Sequence, residues 1–323
     1  MPTPFEDAVA AYGQGDYATA LQLFRRVAEE GDAAAQYNLG YFYETGRGVA
    51  QDLAEALAWY TRAAEQDYAG AQYKLGVMHD SGRGVPQNDA AALAWLRKAA
   101  ERNHAGAQYH LGLAYDAGQG APQDAAEAMK WFRKAANQNN ASAQYNLGVM
   151  HAKGEGVPQD PAEAAAWYRR AANQNHAGAL HNLGVMYAGG QGVPPDFREA
   201  LKWFHKAAEQ GSASAQYNLG VMYANGRGVR EDPDEAVRWY RKAAELGNAS
   251  AAFNLGVMCE QGLAVPQDDV EAWKWFTLAA SLFPEEKAAT RDRALAHRDE
   301  MAARMTAMQL DAAAERARTW RRA

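Results

Sequence analysis

Apolar and small side chains return along this chain at helical intervals, in two patterns that alternate. In the first, Gln36, Leu39, Gly40 and Tyr43 are spaced 3, 4 and 7, so they share one face of a helix of about twelve residues. In the second, Ala56, Trp59, Tyr60, Ala63 and Ala64 follow a 3-4-7-8 pattern of large and small side chains. The first face predicts a core layer that Leu39 fills, that Gly40 opens to close approach by a neighbouring helix, and that Tyr43 closes. The residues His79, Tyr115, His151, Tyr187, Tyr223 and Cys259 stand at the Tyr43 position in later copies.

Those copies recur every 36 residues. Leu39-Gly40 returns as Leu75-Gly76, Leu111-Gly112, Leu147-Gly148, Leu183-Gly184, Leu219-Gly220 and Leu255-Gly256. Trp59 keeps the same step at Trp95, Trp131, Trp167, Trp203, Trp239 and Trp275, as does the Ala63-Ala64 pair. Seven units therefore fill 32–283 without insertion or deletion, leaving 1–31 before the array and 284–323 after it.

Each unit joins its two helices through a loop such as Gly46-Arg47-Gly48-Val49-Ala50-Gln51-Asp52. The first glycine suits a left-handed helix C-cap, the second a further left-handed turn, and Val49 tucks back onto the apolar layer. Asp52 with Glu55 reads as a D-x-x-E capping box, repeated at Asp124/Glu127, Asp160/Glu163, Asp196/Glu199, Asp232/Glu235 and Asp268/Glu271. Pro161 and Pro233 take the favoured first helical position.

These residues, in the order A-x-A-Q-Y-x-L-G, G-x-G-V, D and W-Y/F-x-x-A-A, resemble the Sel-one-like repeat, a relative of the tetratricopeptide repeat. The resemblance covers about four-fifths of the chain. It implies an all-α fold, a right-handed superhelix (solenoid) of stacked antiparallel helix pairs, acting as an adaptor or scaffold for other proteins. Bacterial signalling, envelope and host-interaction pathways are the settings the resemblance implies. Residues 1–31 are expected to form a tetratricopeptide-like capping pair without the glycine-rich loop, covering the end of the core. In the tail, 284–323, Met301, Met305, Met308 and Ala312 fall 4, 3 and 4 apart, and Thr306 with Gln309 can open a final helix by a capping box. A capping helix is the expected role of this tail, and docking or self-association the alternative.

Composition narrows the chemistry. With 33 Lys+Arg against 39 Asp+Glu, the net charge of −6 gives no support to nucleic-acid or anionic-membrane binding. The single cysteine, Cys259, excludes an intramolecular disulfide framework and a Cys-based zinc site. No stretch approaches the roughly 18 apolar residues of a membrane span, and no basic segment precedes an apolar core at the start, so a soluble, cytoplasmic protein is expected. The glycine-rich loops lack the Lys-Ser/Thr of a phosphate-binding loop and, except at Asn88 of the second unit, open onto an Asp. No two of the eight histidines stand four apart, so no metal or cofactor is expected. The Asp/Glu pairs serve as caps, and Glu127 with Lys130 and Lys134, or Glu199 with Lys202 and Lys206, place acid near base on exposed faces.

Opposite Leu39 and Tyr43 lie Ala34, Asn38, Tyr41 and Thr45, with Tyr37 beside them. Stacking makes two rows of candidate partner-binding residues. One is Tyr37, Tyr73, Tyr109, Tyr145, His181, Tyr217 and Phe253; the other is Asn38, Lys74, His110, Asn146, Asn182, Asn218 and Asn254. In tetratricopeptide-like solenoids this face lines the concave groove. Amides both donate to and accept from an extended backbone, and tyrosines add apolar area at little entropic cost, so a protein or peptide partner fits. The other reading is that the rows satisfy adjacent backbone and pack between repeats. Lys74 and His110 break the row with positive or titratable charge, so a preference for acidic groups is expected near them. No catalytic residue is expected; the enzyme alternative, β-lactam binding or hydrolysis, comes from cysteine-rich secreted relatives whose disulfides this chain lacks.

Overall fold

The computed structural model describes residues 2–320, and all regular structure among them is helical. The chain divides into two compact units, Met1–Asp160 and Pro161–Ala323. The first holds α1 (Pro4–Gly13), α2 (Tyr17–Glu29), α3 (Ala33–Thr45), α4 (Leu53–Glu65), α5 (Ala69–Ser81), α6 (Asp89–Glu101), α7 (Ala105–Ala117), α8 (Ala125–Asn137) and α9 (Ala141–Lys153). The second holds α10 (Pro161–Asn173), α11 (Ala177–Gly189), α12 (Phe197–Glu209), α13 (Ala213–Ala224), α14 (Pro233–Glu245), α15 (Ala249–Gln261), α16 (Asp269–Leu282), a short 3-10 turn (Glu285–Lys287), α17 (Ala288–Arg304) and α18 (Ala307–Thr319). Within each unit consecutive helices pack on one another as far as α17, and α18 returns to pack on α16. Stacking in chain order is the solenoid arrangement.

The Leu-Gly dipeptide sets the spacing between paired helices. A Cβ on Gly40 would lie 2.8 Å from the Tyr60 ring, and one on Gly112 2.6 Å from the Phe132 ring. Glycine is therefore the hole into which the large residue after each tryptophan fits. Tyr60, Phe132 and Phe276 are almost wholly buried. The tryptophans sit nearer the rim under a cation, one turn on in the first six repeats, as with Lys98 over Trp95 at 4.2 Å and Lys134 over Trp131 at 3.8 Å, and the preceding Lys274 at Trp275.

Tyr43 does not close the apolar layer as expected. Phe42 does, at 1% exposure, followed in register by Met78, Met150, Met186, Met222 and Met258, all buried. A helix with neighbours on both sides, as α3 has in α2 and α4, buries a band wider than one 3-4-7 stripe. Tyr43 is half-buried at the edge of that band, and its hydroxyl accepts a 2.6 Å hydrogen bond from Arg25.

The glycine loops adopt the expected left-handed turns, with φ of 70° at Gly46 and 66° at Gly48. The capping boxes form by half. Asp52 Oδ1 accepts from the Glu55 N–H at 3.0 Å, but the Asp52 N–H donates to the Tyr43 carbonyl at 3.0 Å, closing the loop. With that donor used, the glutamates turn outward to cations one turn on, such as Glu127 to Lys130 at 2.7 Å and Glu235 to Arg238 at 3.0 Å. The buried glutamine of the A-x-A-Q segment ties adjacent helices: Gln36 and Gln72 donate to the carbonyls of Ala28 and Ala64, both at 3.1 Å.

At the start, Phe5, Phe24 and Phe42 pack edge to face and cover the first layer. In the tail, the predicted methionine face is split by a break at Met305–Thr306. Met301 is fully buried, whereas Met308 is 82% exposed. The Thr306–Gln309 capping box forms with both of its bonds. Met1 of the amino-terminal segment and residues 321–323 of the tail lie outside the described residues.

Candidate functional site

Both candidate rows lie on the first helix of each repeat, and their residues are half-buried throughout. In the first unit, the Tyr37 ring rests 5.6 Å from Tyr60 and 5.2 Å from Tyr68, Tyr73 stacks on His104 at 4.6 Å, and Tyr109 leans on Phe132 at 5.9 Å. Tyr145 continues the row. In the second unit, His181, Tyr217 and Phe253 meet Phe204, Tyr240 and Phe276 at 5.8, 5.9 and 5.5 Å. The aromatic row thus packs one face on the second helix of its own repeat while keeping part of each ring accessible.

The polar row has varied partners. Asn38 Nδ2 donates to the Ala34 carbonyl at 2.9 Å, and Asn254 hydrogen-bonds the Tyr240 hydroxyl. His181 bridges two repeats, with Nδ1 3.3 Å from Asn182 Oδ1 and Nε2 3.2 Å from Asn218 Nδ2. Asn146 is half-buried on α9.

Lys74 and His110 are both half-buried and engaged within the chain. Lys74 Nζ lies 2.8 Å from Glu44 Oε2, a carboxylate that also accepts from the Tyr60 hydroxyl at 2.6 Å and faces Arg83 at 3.5 Å. Burial alone would raise the Glu44 pKa. The hydrogen bonds from Lys74 and Tyr60 and the Lys74 and Arg83 charges outweigh it and hold the group below the usual carboxylate range. His110 packs edge-on against Tyr73 and Tyr109, and burial lowers its pKa against the opposing pull of Asp80, so the neutral imidazole is favoured. Sequence reasoning missed Glu44 because it stands thirty positions before Lys74, a spacing that is neither helical nor one repeat.

Between successive first helices, the row opens into clefts built in one register. In the second unit, one is lined by Val185 and Ala188 of α11, Phe204 of α12, and Asn218, Val221 and Met222 of α13, with Arg227, and holds about 280 Å³. The next repeats it with Ala224, Tyr240, Asn254, Val257 and Met258. In the first unit, Asp80, Leu96, His110, Leu113 and Ala114 form the counterpart, and Val9, Tyr12, Phe24, Tyr37, Asn38 and Tyr41 line another. At the α3/α5 junction the same register positions carry the Glu44, Tyr60, Lys74 and Arg83 network.

Elsewhere, Cys259 is buried, and its thiol is pushed up to about 11, first by burial and then by the Glu271 and Asp268 charges, the reverse of nucleophile activation. Among the described residues, one set of three side chains suited to metal ligation converges: Glu260, His297 and Glu300. No helix among the described residues is long and apolar enough to cross a membrane.

The Sel1 repeat family model matches eight segments, residues 11–32, 33–68, 69–104, 105–140, 141–176, 177–212, 213–248 and 249–282. The first extends the repeat pattern into the amino-terminal segment. A Sel1 repeat protein from Oxalobacter formigenes is 31% identical, with a TM-score of 0.68, over 75% of this chain and 97% of that one. A protective antigen of uropathogenic Escherichia coli strains, displaying an SLR fold, is 28% identical, with a TM-score of 0.58, over 97% of this chain and 90% of that one. No curated protein matches the chain.

Proposed function

The chain belongs to the Sel1 repeat family, whose members are generally protein-interaction scaffolds, and we propose that it is a non-enzymatic scaffold binding partner proteins through extended segments laid along the first-helix face. The observation that carries this reading is the cleft repeated in register. Each cleft sets an aromatic or aliphatic residue of the second helix beside an Asn-row residue and a small apolar residue of the next first helix. An extended peptide presents a side chain and a backbone amide at every such step. The apolar lining takes the side chain, and the amide of Asn218 or Asn254 meets the backbone. Val185, 39% exposed at the edge of one cleft, supplies apolar surface that a partner would cover. Signalling or envelope-related regulation enters the proposal through the family alone.

Peptide-library display on the purified chain tests it. Selected peptides are expected to bind the wild type and to lose more than about tenfold in affinity to a Val185→Arg, Val221→Arg variant, since burying one aliphatic side chain is worth about 1.5–3 kcal/mol. Recovery of no binder, or equal binding by the variant, overturns the reading.

A further inference from the structure

The carboxyl-terminal cap brings together three side chains that no sequence spacing pairs. Glu260 lies in the last turn of α15, and His297 and Glu300 stand three apart on α17. One ligand atom from each lies within 4.8 Å of the others. The His297 ring is held in its plane, stacked on Phe276 at 4.9 Å and 21° and edge-on to Phe253 at 5.6 Å. Its Nδ1 is sealed from solvent 3.2 Å from Glu260 Oε2, yet the two are not aligned for a hydrogen bond.

Comparison within the chain sharpens the point. Glu260 occupies the register of Glu44 in the first repeat. There the carboxylate is met by two cations, Lys74 and Arg83. Glu260 is met instead by an imidazole and a second carboxylate, and no lysine or arginine pairs with it among the described residues. Arg293, one turn before His297, lies over the Phe253 ring. An imidazole, rather than a lysine or arginine, is thus what faces the Glu260 carboxylate.

We propose that Glu260, His297 and Glu300 form a divalent transition-metal site that clasps α17 to the last repeat. Around a tetrahedral ion with bonds of about 2.0–2.2 Å, adjacent ligand atoms stand about 3.3–3.6 Å apart, so the 3.2 Å between Nδ1 and Oε2 needs only a slight opening to make one edge. Glu300 is exposed, so its carboxylate swings in as the third ligand, with water completing the shell. One imidazole and two carboxylates suit zinc and its first-row neighbours. Magnesium prefers an all-oxygen shell and retains its waters. Because the ligands come from two helices, the site exists only while the cap is docked, and metal binding stabilises that docking.

The test is isothermal titration of chelator-treated, untagged full-length protein with zinc chloride, with magnesium chloride in parallel, and thermal unfolding with and without zinc. One zinc per chain and a raised unfolding midpoint are expected. Outer-shell partners of a metal are already worth about 10–100-fold in affinity, so Glu300→Gln, at an exposed position, is expected to weaken binding by more than about tenfold. His297→Ala is expected to abolish both binding and the midpoint shift. Absence of zinc binding, equal binding by Glu300→Gln, or magnesium binding as tight as zinc overturns the proposal.

Discussion

Placing a methyl group on Gly220 tests the helix spacing on which every cleft depends. A Cβ there would lie 2.5 Å from Cδ1 and Cε1 of Tyr240, about 1 Å inside the 3.5–4.0 Å of favourable carbon contact. The ring has no easy retreat: Tyr240 is 3% exposed, Tyr217 packs 5.9 Å away, and its hydroxyl is bonded to Asn254. Overpacking of this kind costs about 1–3 kcal/mol, and exchanging glycine for alanine inside a helix returns at most about 1 kcal/mol, so Gly220→Ala is expected to destabilise by about 1–2 kcal/mol. Gly189→Ala supplies the control. Gly189 is helical, and its nearest neighbour atom would be 3.7 Å away, so alanine there is expected to be neutral or to stabilise by up to about 1 kcal/mol. Urea titration followed by circular dichroism reads both variants, and a Tyr240→Ala background is expected to remove the Gly220→Ala penalty. A Gly220→Ala midpoint at or above that of Gly189→Ala, or a penalty that survives loss of the ring, refutes the reasoning.

Two further outcomes follow from the buried polar groups. Glu44 has a lowered pKa in the folded protein, so its contribution is fully present above the ordinary carboxylate value of about 4.3 and is lost as pH falls through the folded value. Glu44→Gln should then cost about 2 kcal/mol at neutral pH, with the gap to wild type closing below about pH 4; a gap independent of pH would count against the ionic network. Gln108→Leu removes hydrogen bonds of 3.1 Å to the Ala100 carbonyl and 3.2 Å to Asn103 Oδ1 and one of 2.8 Å accepted from Gln138, but the carbonyl keeps the Asn103 N–H and Gln138 keeps Asn103 Oδ1 at 3.1 Å. A loss of only about 1 kcal/mol in urea unfolding is expected, consistent with Leu180 and Ala252 at the same register, and a loss above about 3 kcal/mol would show that the glutamine does more.

Helix number, loop turns and the close approach at Gly40 were legible because each depends on local spacing or on glycine's missing side chain. Several contacts were not. The capping glutamates were misread because the Asp52 N–H finds a more distant acceptor, the Tyr43 carbonyl. Tyr43 was overvalued because a face drawn on one helix ignores the second neighbour that buries Phe42. The charge of Lys74 could not be discounted without Glu44, one helix pair earlier. For the candidate rows, the sequence supplied the positions, and the fold showed that their rings pack inward and that clefts open beside them.

Periodicity by itself determined which residues of this chain are equivalent, and with that the all-helical repeat, because helical spacing and glycine geometry are properties of short segments. Tertiary structure decided which equivalents meet: Glu44 with Lys74 at the first junction, Glu260 with His297 at the last, and Asn218 with His181 between them in the chain. Such meetings depend on how far one helix leans across the next, and side chains from different repeats choose partners by reach and charge that no single period encodes.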